Sequence, residues 1–275
     1  MGVPDFTTVV GVDAKHLEQL GMVWQTWKRH KPSLLDHPMI VFRNDLADAD
    51  VRAAVDHPNL ETCVWPMGGA TYAGDDKGKW TNPRRHMMLA GFVHVPALFV
   101  KTPYWLKIDT DAIATGVDDW IDIGNGTDSS GWFADGPAFI GSPWSFTKPP
   151  DQMTKLDRWV EENKDNLMVK GLLQHPPLNL VPKPDARRLR HQRTVSWCAF
   201  FRTDFTIQCA LMASETCGPF QIPVPSQDGY LWYVAKRAGL GIVRANMKRR
   251  GWMIRSSMRS IKQAATDAMA TGLEK

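Results

Sequence analysis

Long apolar runs are missing from this sequence of 275 residues. The longest, residues 87–100, carries His94 and Pro96 and falls short of the roughly 20 residues a helix needs to cross a bilayer. No basic-then-apolar leader opens the chain, so neither secretion nor membrane insertion is expected. Cysteine is scarce and scattered. Cys63, Cys198, Cys209 and Cys217 form no Cys-X-X-Cys pair, which argues against a zinc site and for reduced thiols in a cytoplasmic compartment. No Gly-X-Gly-X-X-Gly follows the first expected strand, which counts against an NAD-type site.

What is present is ordinary for a soluble globular protein: 43% hydrophobic residues, 23% charged and a net charge of +4. The length allows one large α/β domain or two small ones, with a sizeable core. The charge is uneven. Arg244, Lys248, Arg249, Arg250, Arg255, Arg259 and Lys262 follow one another with no acidic residue among them. Such a segment either attracts an anionic partner (nucleic acid, a membrane surface or substrate phosphates) or forms a solvated helix face. Most of the twelve tryptophans are expected in the core.

The amino-terminal part alternates strand and helix. Residues 7–12 form a β-branched run, and residues 15–30 place Leu17, Leu20, Trp24 and Trp27 on one helical face. A strand at 39–42, a helix at 47–55 and a strand at 60–65 follow, the order of a doubly wound parallel sheet. Ligands of such sheets bind beyond the carboxyl ends of the strands. Asp13, Asn44 and Asp45 stand there and are candidates for holding a nucleotide, or, for Asp13 and Asp45, for capping the helices they precede. Residues 68–83 are glycine-rich and read as a loop. Arg84, Arg85 and His86 then open an apolar helix, and Arg85 is a candidate partner for a diphosphate.

Residues 104–108 alternate as a strand, and Asp109 and Asp111 follow at once. Side chains two apart in extended backbone leave on the same side, so both carboxylates can face one object. Held that close they repel unless a cation sits beside them, and hard oxygen ligands suit Mg2+ or Mn2+. Beyond them the pattern is less regular. Strands are expected at 120–121 and 131–140 with a turn at Asp135-Gly136, a loop at 143–150, a helix at 152–163 and a long exposed connection at 175–193 holding Arg187, Arg188, Arg190 and Arg193. A strand at 194–201 precedes a helix capped by Asp204. Ser226-Gln227-Asp228 then opens a helix that ends at Gly239, and a strand at 241–243 follows.

A strand Tyr-Trp-Leu-Lys-Ile running into Asp109-Thr110-Asp111 resembles the Asp-X-Asp motif of the GT-A fold glycosyltransferases. Gln227-Asp228 at a later helix start resembles their second, acceptor-side acidic motif. The resemblance implies an α/β fold with a mostly parallel central sheet, helices on both faces and a small acceptor-side sheet. Spread over the chain, it implies a single catalytic domain at 5–260, with a nucleotide-binding half at 5–111, an acceptor half at 112–260 and a tail at 261–275. It further implies transfer of a sugar from a nucleoside-diphosphate donor, UDP-type favoured, to an acceptor hydroxyl, with Mn2+ or Mg2+ as cofactor and inversion at the sugar carbon. On that footing Asp111 binds the metal, Asp109 contacts metal or ribose, and Asp228 is the general base, unless it only caps its helix. The sequence departs from the family in two places. Many relatives complete the metal site with a histidine near the carboxyl terminus, whereas none follows His191 here, and Gln227 stands where a glutamate is usual.

The acceptor is expected to be a glycan or small hydroxyl compound, with modified DNA kept open by the arginine clusters. Two rivals come from other classes. A haloacid-dehalogenase-like phosphatase would use the first aspartate of such a motif as nucleophile, but on its first strand, whereas three strands precede Asp109. A non-catalytic nucleic-acid-binding protein is the other.

Overall fold

The computed structural model describes residues 5–65, 83–116, 133, 136–143, 151–178, 180, 194–224, 226–245, 247, 251–255 and 257–271. Its elements in chain order are β1 (Phe6–Asp13), α1 (Leu17–His30), β2 (Met39–Asn44), α2 (Asp48–Ala54), β3 (Leu60–Val64), α3 (Pro83–Phe99), β4 (Tyr104–Ile108), β5 (Ala112–Ala114) and β6 (Phe139–Pro143). They continue with α4 (Asp151–Glu162), α5 (Leu167–Gln174), β7 (Thr194–Arg202), α6 (Thr203–Cys217), α7 (Gln227–Arg237), β8 (Ile242–Arg244), β9 (Trp252–Ile254) and α8 (Met258–Ala270).

Seven strands make one sheet in the order β3-β2-β1-β4-β7-β6-β8, and β5 and β9 pair antiparallel in a small second sheet. β1 pairs parallel with both β2 and β4, and β2 with β3. β7 runs against both its neighbours, and β6 and β8 run parallel. The expected mixed α/β architecture with a mostly parallel sheet is therefore present. The chain leaves β1 toward β2 on one side and reaches β4 on the other, so the crevice beyond β1 and β4 is the switch point where open α/β sheets take ligands.

Period-2 alternation decides which side chains meet which layer. On one face Val9, Trp105, Phe139, Ala199 and Phe201 belong to the core shared with α3, α6 and α7. On the other, Val10, Tyr104, Leu106, Ile108, Cys198 and Phe200 belong to the core shared with α1, α8 and the small sheet. Both faces are covered, as a parallel sheet requires. Trp24, Trp27, Trp105, Trp232 and Trp252 are fully buried, in line with the expectation that tryptophan builds the core.

Several local expectations are corrected. The helix read at 47–55 runs Asp48–Ala54, with Ala47 at its N-cap and no side-chain cap bond, so Asp45 does not cap it. Asp45 instead occupies a left-handed turn, φ +54°, a conformation that aspartate tolerates better than most residues. Asp204 is not a cap either: Arg202 holds that position, and Asp204 accepts from Arg202 Nε and the Phe205 N–H, both at 2.6 Å. Of the strand read over 131–140, the described residues form strand from Phe139 on, and residues 131, 132, 134 and 135 lie outside the described residues. The strand at 120–121, the loop at 68–82, Asp135, residues 144–150 and Arg187 to Arg193 lie outside the described residues.

Most of the segment read as a tail is helix α8. Ile261, Ala265 and Ala268 form a buried stripe at helical spacing, and His30 Nε2 donates to Ala268 O at 2.8 Å. Ser257 caps this helix, and Lys262 pairs with Glu18 of α1 at 2.8 Å. Ile261→Ala is expected to cost about 2–4 kcal/mol, read as a lowered denaturant midpoint, because the side chain is 1% exposed. A loosely attached tail predicts less than about 0.5 kcal/mol, the range of ordinary surface substitutions.

Candidate active site

The acidic corner after β4 is fixed by its backbone before its side chains act. Asp109 N–H donates to Trp197 O at 2.8 Å, and Ala112 N–H returns to Asp109 O at 3.0 Å, closing a tight turn. Arg255 N–H donates to Asp111 O at 3.2 Å, extending the β5/β9 ladder up to the second aspartate. From the opposite side α1 holds the same segment: Trp27 Nε1 donates to Ala112 O at 2.7 Å, Ala114 N–H to Thr26 Oγ1 at 3.1 Å, and Gln19 Nε2 to Thr110 Oγ1 at 3.0 Å. The pair is thus set between a helix and the small sheet.

The side chains of this corner interact strongly. Burial raises the Asp109 carboxyl, the Lys107 ammonium bonded to it partly offsets this, and the charge of Asp228 pushes it up again. Asp111 is pushed up to about 6, first by burial and then by the negative charge of Asp109, against smaller opposing effects of Lys107 and His16. Asp109 thus acts on Asp111 and is itself acted on by Asp228, although more than a hundred residues of sequence separate Asp228 from the pair. The Asp109 side chain keeps 36% of its surface open, so the corner is accessible from solvent.

Asp228 lies in the first turn of α7, but the cap of that helix is Ser226, whose Oγ accepts from Gly229 N–H at 2.9 Å. The capping alternative for Asp228 is removed, because the orphan donor it would satisfy is already bonded. Gln227, one residue before, is 3% exposed, and its Nε2 has no hydrogen-bond partner among the described residues.

On the β1 side Asp13 caps not α1, whose N-cap His16 makes no side-chain cap bond, but the short 3-10 turn Ala14–His16 that leads into it: its Oδ1 accepts from His16 N–H at 3.0 Å and from His16 Nδ1 at 2.6 Å. Burial pulls its pKa up, but these bonds and the charge of His16 outweigh that and leave it lowered. Asp13 stands in register with Asn44, which is buried at the end of β2, whereas Asp45 is exposed beyond it. Arg85 is placed only by its backbone, in the first turn of α3. Of the basic segment, Arg255 and Arg259 are exposed.

Three residues of this neighbourhood escaped the reading of the sequence. Lys107 counted only as one of the residues alternating along a strand. Yet a lone charge two positions before Asp109, on the face that Trp105 buries, marks it as the partner of that aspartate. His16 was signalled by its i+3 spacing from Asp13, which lets a capping carboxylate take a side chain as well as an amide. Gln19 carried no signal.

Two carboxylates with raised pKa values beside a half-open corner are a fitting seat for a hard divalent cation, which would remove their repulsion. Among the described residues no group of three or more His, Cys, Asp and Glu side chains is placed to hold a metal, so the pair would contribute two protein ligands.

No protein family and no curated protein matches the sequence. Among solved structures the chain is similar to the bifunctional glycosyltransferase WbbM (8% identity over 88% of this chain, TM-score 0.43), of which it spans 39%. It is similar to the galactosyltransferase LgtC in complex with donor and acceptor sugar analogues, at 8% identity over 87% of this chain and 73% of that one, TM-score 0.45. It is also similar to core-mannan synthase A of Aspergillus fumigatus in its Mn/GDP form, at 14% identity over 88% and 70%, TM-score 0.45.

Proposed function

We propose that this chain is a metal-dependent glycosyltransferase that moves a sugar from a nucleoside-diphosphate donor to an acceptor hydroxyl. The observation that supports it most is the placement of Asp109 and Asp111 directly after β4, at the switch point of the sheet, with the charge of Asp228 acting on Asp109. Asp111, with Asp109, would hold Mn2+ or Mg2+, and the ion when bound would supply Lewis-acid stabilisation of the departing diphosphate. Asn44 and the Asp13–His16 pair at the ends of β2 and β1 would face the nucleoside.

Asp228 acts as general base. Its carboxylate takes the proton of the acceptor hydroxyl as the acceptor oxygen bonds to the sugar's anomeric carbon, while the bond from that carbon to the diphosphate oxygen breaks. Attack opposite the leaving group inverts the anomeric carbon. The donor is of UDP type and the acceptor a glycan or small hydroxyl compound. Duplex DNA as acceptor would instead show retention that falls steeply with salt. Four free cysteines, two of them buried, suit a reducing, cytoplasmic setting, and among the described residues no helix is long and apolar enough to cross a membrane.

Thermal shift with UDP and GDP, with and without Mn2+, tests the reading. At a hundredfold excess over Kd, binding adds about 2.7 kcal/mol of stability, or roughly 5–10 °C in a domain of this size. The shift is expected with UDP and Mn2+ together, and is expected to vanish in Asp111→Asn. No shift with either nucleotide in the presence of Mn2+ contradicts the reading.

A further inference from the structure

His16 lies between the strand ends and the acid corner. At the carboxyl end of β1 its ring is fixed by Asp13, whose Oδ1 accepts from His16 Nδ1 at 2.6 Å and from His16 N–H at 3.0 Å. Asp13 stands in register with Asn44 at the end of β2. Three residues along α1, Gln19 Nε2 donates at 3.0 Å to the hydroxyl of Thr110, which separates the two aspartates. Residues three apart on a helix share a face, so the turn that ties Gln19 to the corner carries His16 toward it as well. The effect of His16 on the Asp111 carboxyl agrees with that placement.

The chemistry of the ring follows from its partner. The Asp13 carboxyl is held below its ordinary pKa and is ionised near neutrality, so it only accepts. The proton of the Asp13–His16 bond therefore sits on Nδ1, and in the neutral ring Nε2 keeps its lone pair. The side chain is 26% exposed, and Nε2 has no hydrogen-bond partner among the described residues. Capping alone needs the Asp13 carboxylate and the His16 N–H, not an imidazole. Nor does His16 complete a metal site, since among the described residues no three His, Cys, Asp and Glu side chains are placed to hold one. An oriented nitrogen that accepts suits a ligand group that donates. In a nucleotide laid from the ends of β1 and β2 to the acid pair, the part between base and diphosphate is the ribose, and its hydroxyls donate.

We propose that His16 reads the ribose of the donor, its Nε2 accepting a hydrogen bond from a ribose hydroxyl while Asp13 fixes the tautomer and the plane of the ring. This rests on the glycosyltransferase reading and adds a donor preference to it: nucleoside diphosphates with a complete ribose over those lacking a hydroxyl. His16 is then a specificity-determining residue, and Asp13 a positioning residue that acts through it.

The test is isothermal titration of the full chain with saturating Mn2+ at pH 8, where an ordinary imidazole is neutral, comparing UDP and GDP with their 2′-deoxy and 3′-deoxy forms. The wild type should bind one of the deoxy forms about tenfold to a hundredfold more weakly than its parent, the range reached when a polar group loses its partner. His16→Phe keeps a ring without nitrogens; it should bind the parent nucleotide about fivefold or more weakly and separate parent from deoxy form by less than about threefold. His16→Asn, whose side chain suits a helix start and falls short of the Nε2 position, should behave alike and carries the test if His16→Phe does not fold. A purely structural His16 predicts the same ratio between parent and deoxy forms in variant and wild type. A folded variant that keeps the wild-type ratio overturns the proposal and hands the ribose to another group, such as Asp109. A wild type that binds parent and deoxy forms alike also overturns it, while its binding of nucleotide with Mn2+ leaves the glycosyltransferase reading standing. Absence of any nucleotide binding by the wild type overturns both.

Discussion

Asp111→Asn is expected to yield a metal-free protein more stable than the wild type at pH 7.5, with sugar transfer reduced by about a thousandfold, the scale reached when a principal electrostatic contact of the transition state is removed. The two effects have one cause. The Asp111 carboxyl stands at about 6 in the folded chain against 3.8 for the free side chain, because burial and the charge of Asp109 disfavour its ionised form. A carboxyl raised on folding binds its proton more tightly in the folded state, so folding is penalised once the pH exceeds the folded value. The penalty shrinks as the pH falls from 6 and is gone below the unfolded value. At pH 7.5 it is worth about 1–3 kcal/mol, the upper figure being the full pKa difference converted at 1.36 kcal/mol per unit. Asparagine keeps the shape and removes the charge, so the variant should melt roughly 3–8 °C higher at pH 7.5 for a chain of this size. The advantage should disappear near pH 4. Saturating Mn2+ and nucleotide should reverse the order, since only the wild type gains from binding them. A variant that melts no higher than the wild type without metal, across pH 4 to 8, contradicts the account of this corner as charge held against its own repulsion.

How much of this could be read beforehand depended on how many residues carried each signal. β1 and β4 were legible because five or more residues alternate or run β-branched between clear breaks, as in Thr7 to Val12 and Tyr104 to Ile108. β5 and β9 have three residues each, too few for any period, and exist because tertiary structure brings Ala112 and Ile254 into register. α5 is only eight residues long, and Gly171 packs it so closely on α6 that an added Cβ would lie 3.1 Å from the Thr216 Cβ. α8 did carry its signal. The stripe of Ile261, Ala265 and Ala268 was hidden by attention to the basic charges around it. The aspartate pair was visible from sequence because two carboxylates two apart at a strand's tip have few structural uses. Asp228 was visible only as one of two roles, and the bond from Gly229 N–H to Ser226 Oγ takes away the cap without assigning the other. Lys107 shows the converse failing: a period count treats any polar residue as the outward face, although both faces of this sheet are covered.

Asp228→Asn should separate the chemical step from donor binding. As the base, Asp228 interacts with the acceptor's proton only as the acceptor oxygen bonds to the sugar, so its removal should lower kcat by about 10²–10⁴ and leave the KM for donor little changed. Its second role in the site is electrostatic and of opposite sign. The charge of Asp228 raises the Asp109 carboxyl; an uncharged amide there relieves that pressure, so Asp109 loses its proton at lower pH in the variant. Donor nucleotide with Mn2+ should therefore bind Asp228→Asn at least as well as the wild type, in contrast to Asp111→Asn. Because Ser226 and not Asp228 caps α7, the substitution removes no cap bond. Steady-state kinetics over a range of acceptor concentrations, with isothermal titration of UDP and Mn2+ on the same preparation, reads both effects. An Asp228→Asn protein that retains wild-type kcat removes Asp228 from the chemistry and leaves the acid pair to account for the site alone. One that loses nucleotide binding along with kcat places Asp228 on the donor side instead.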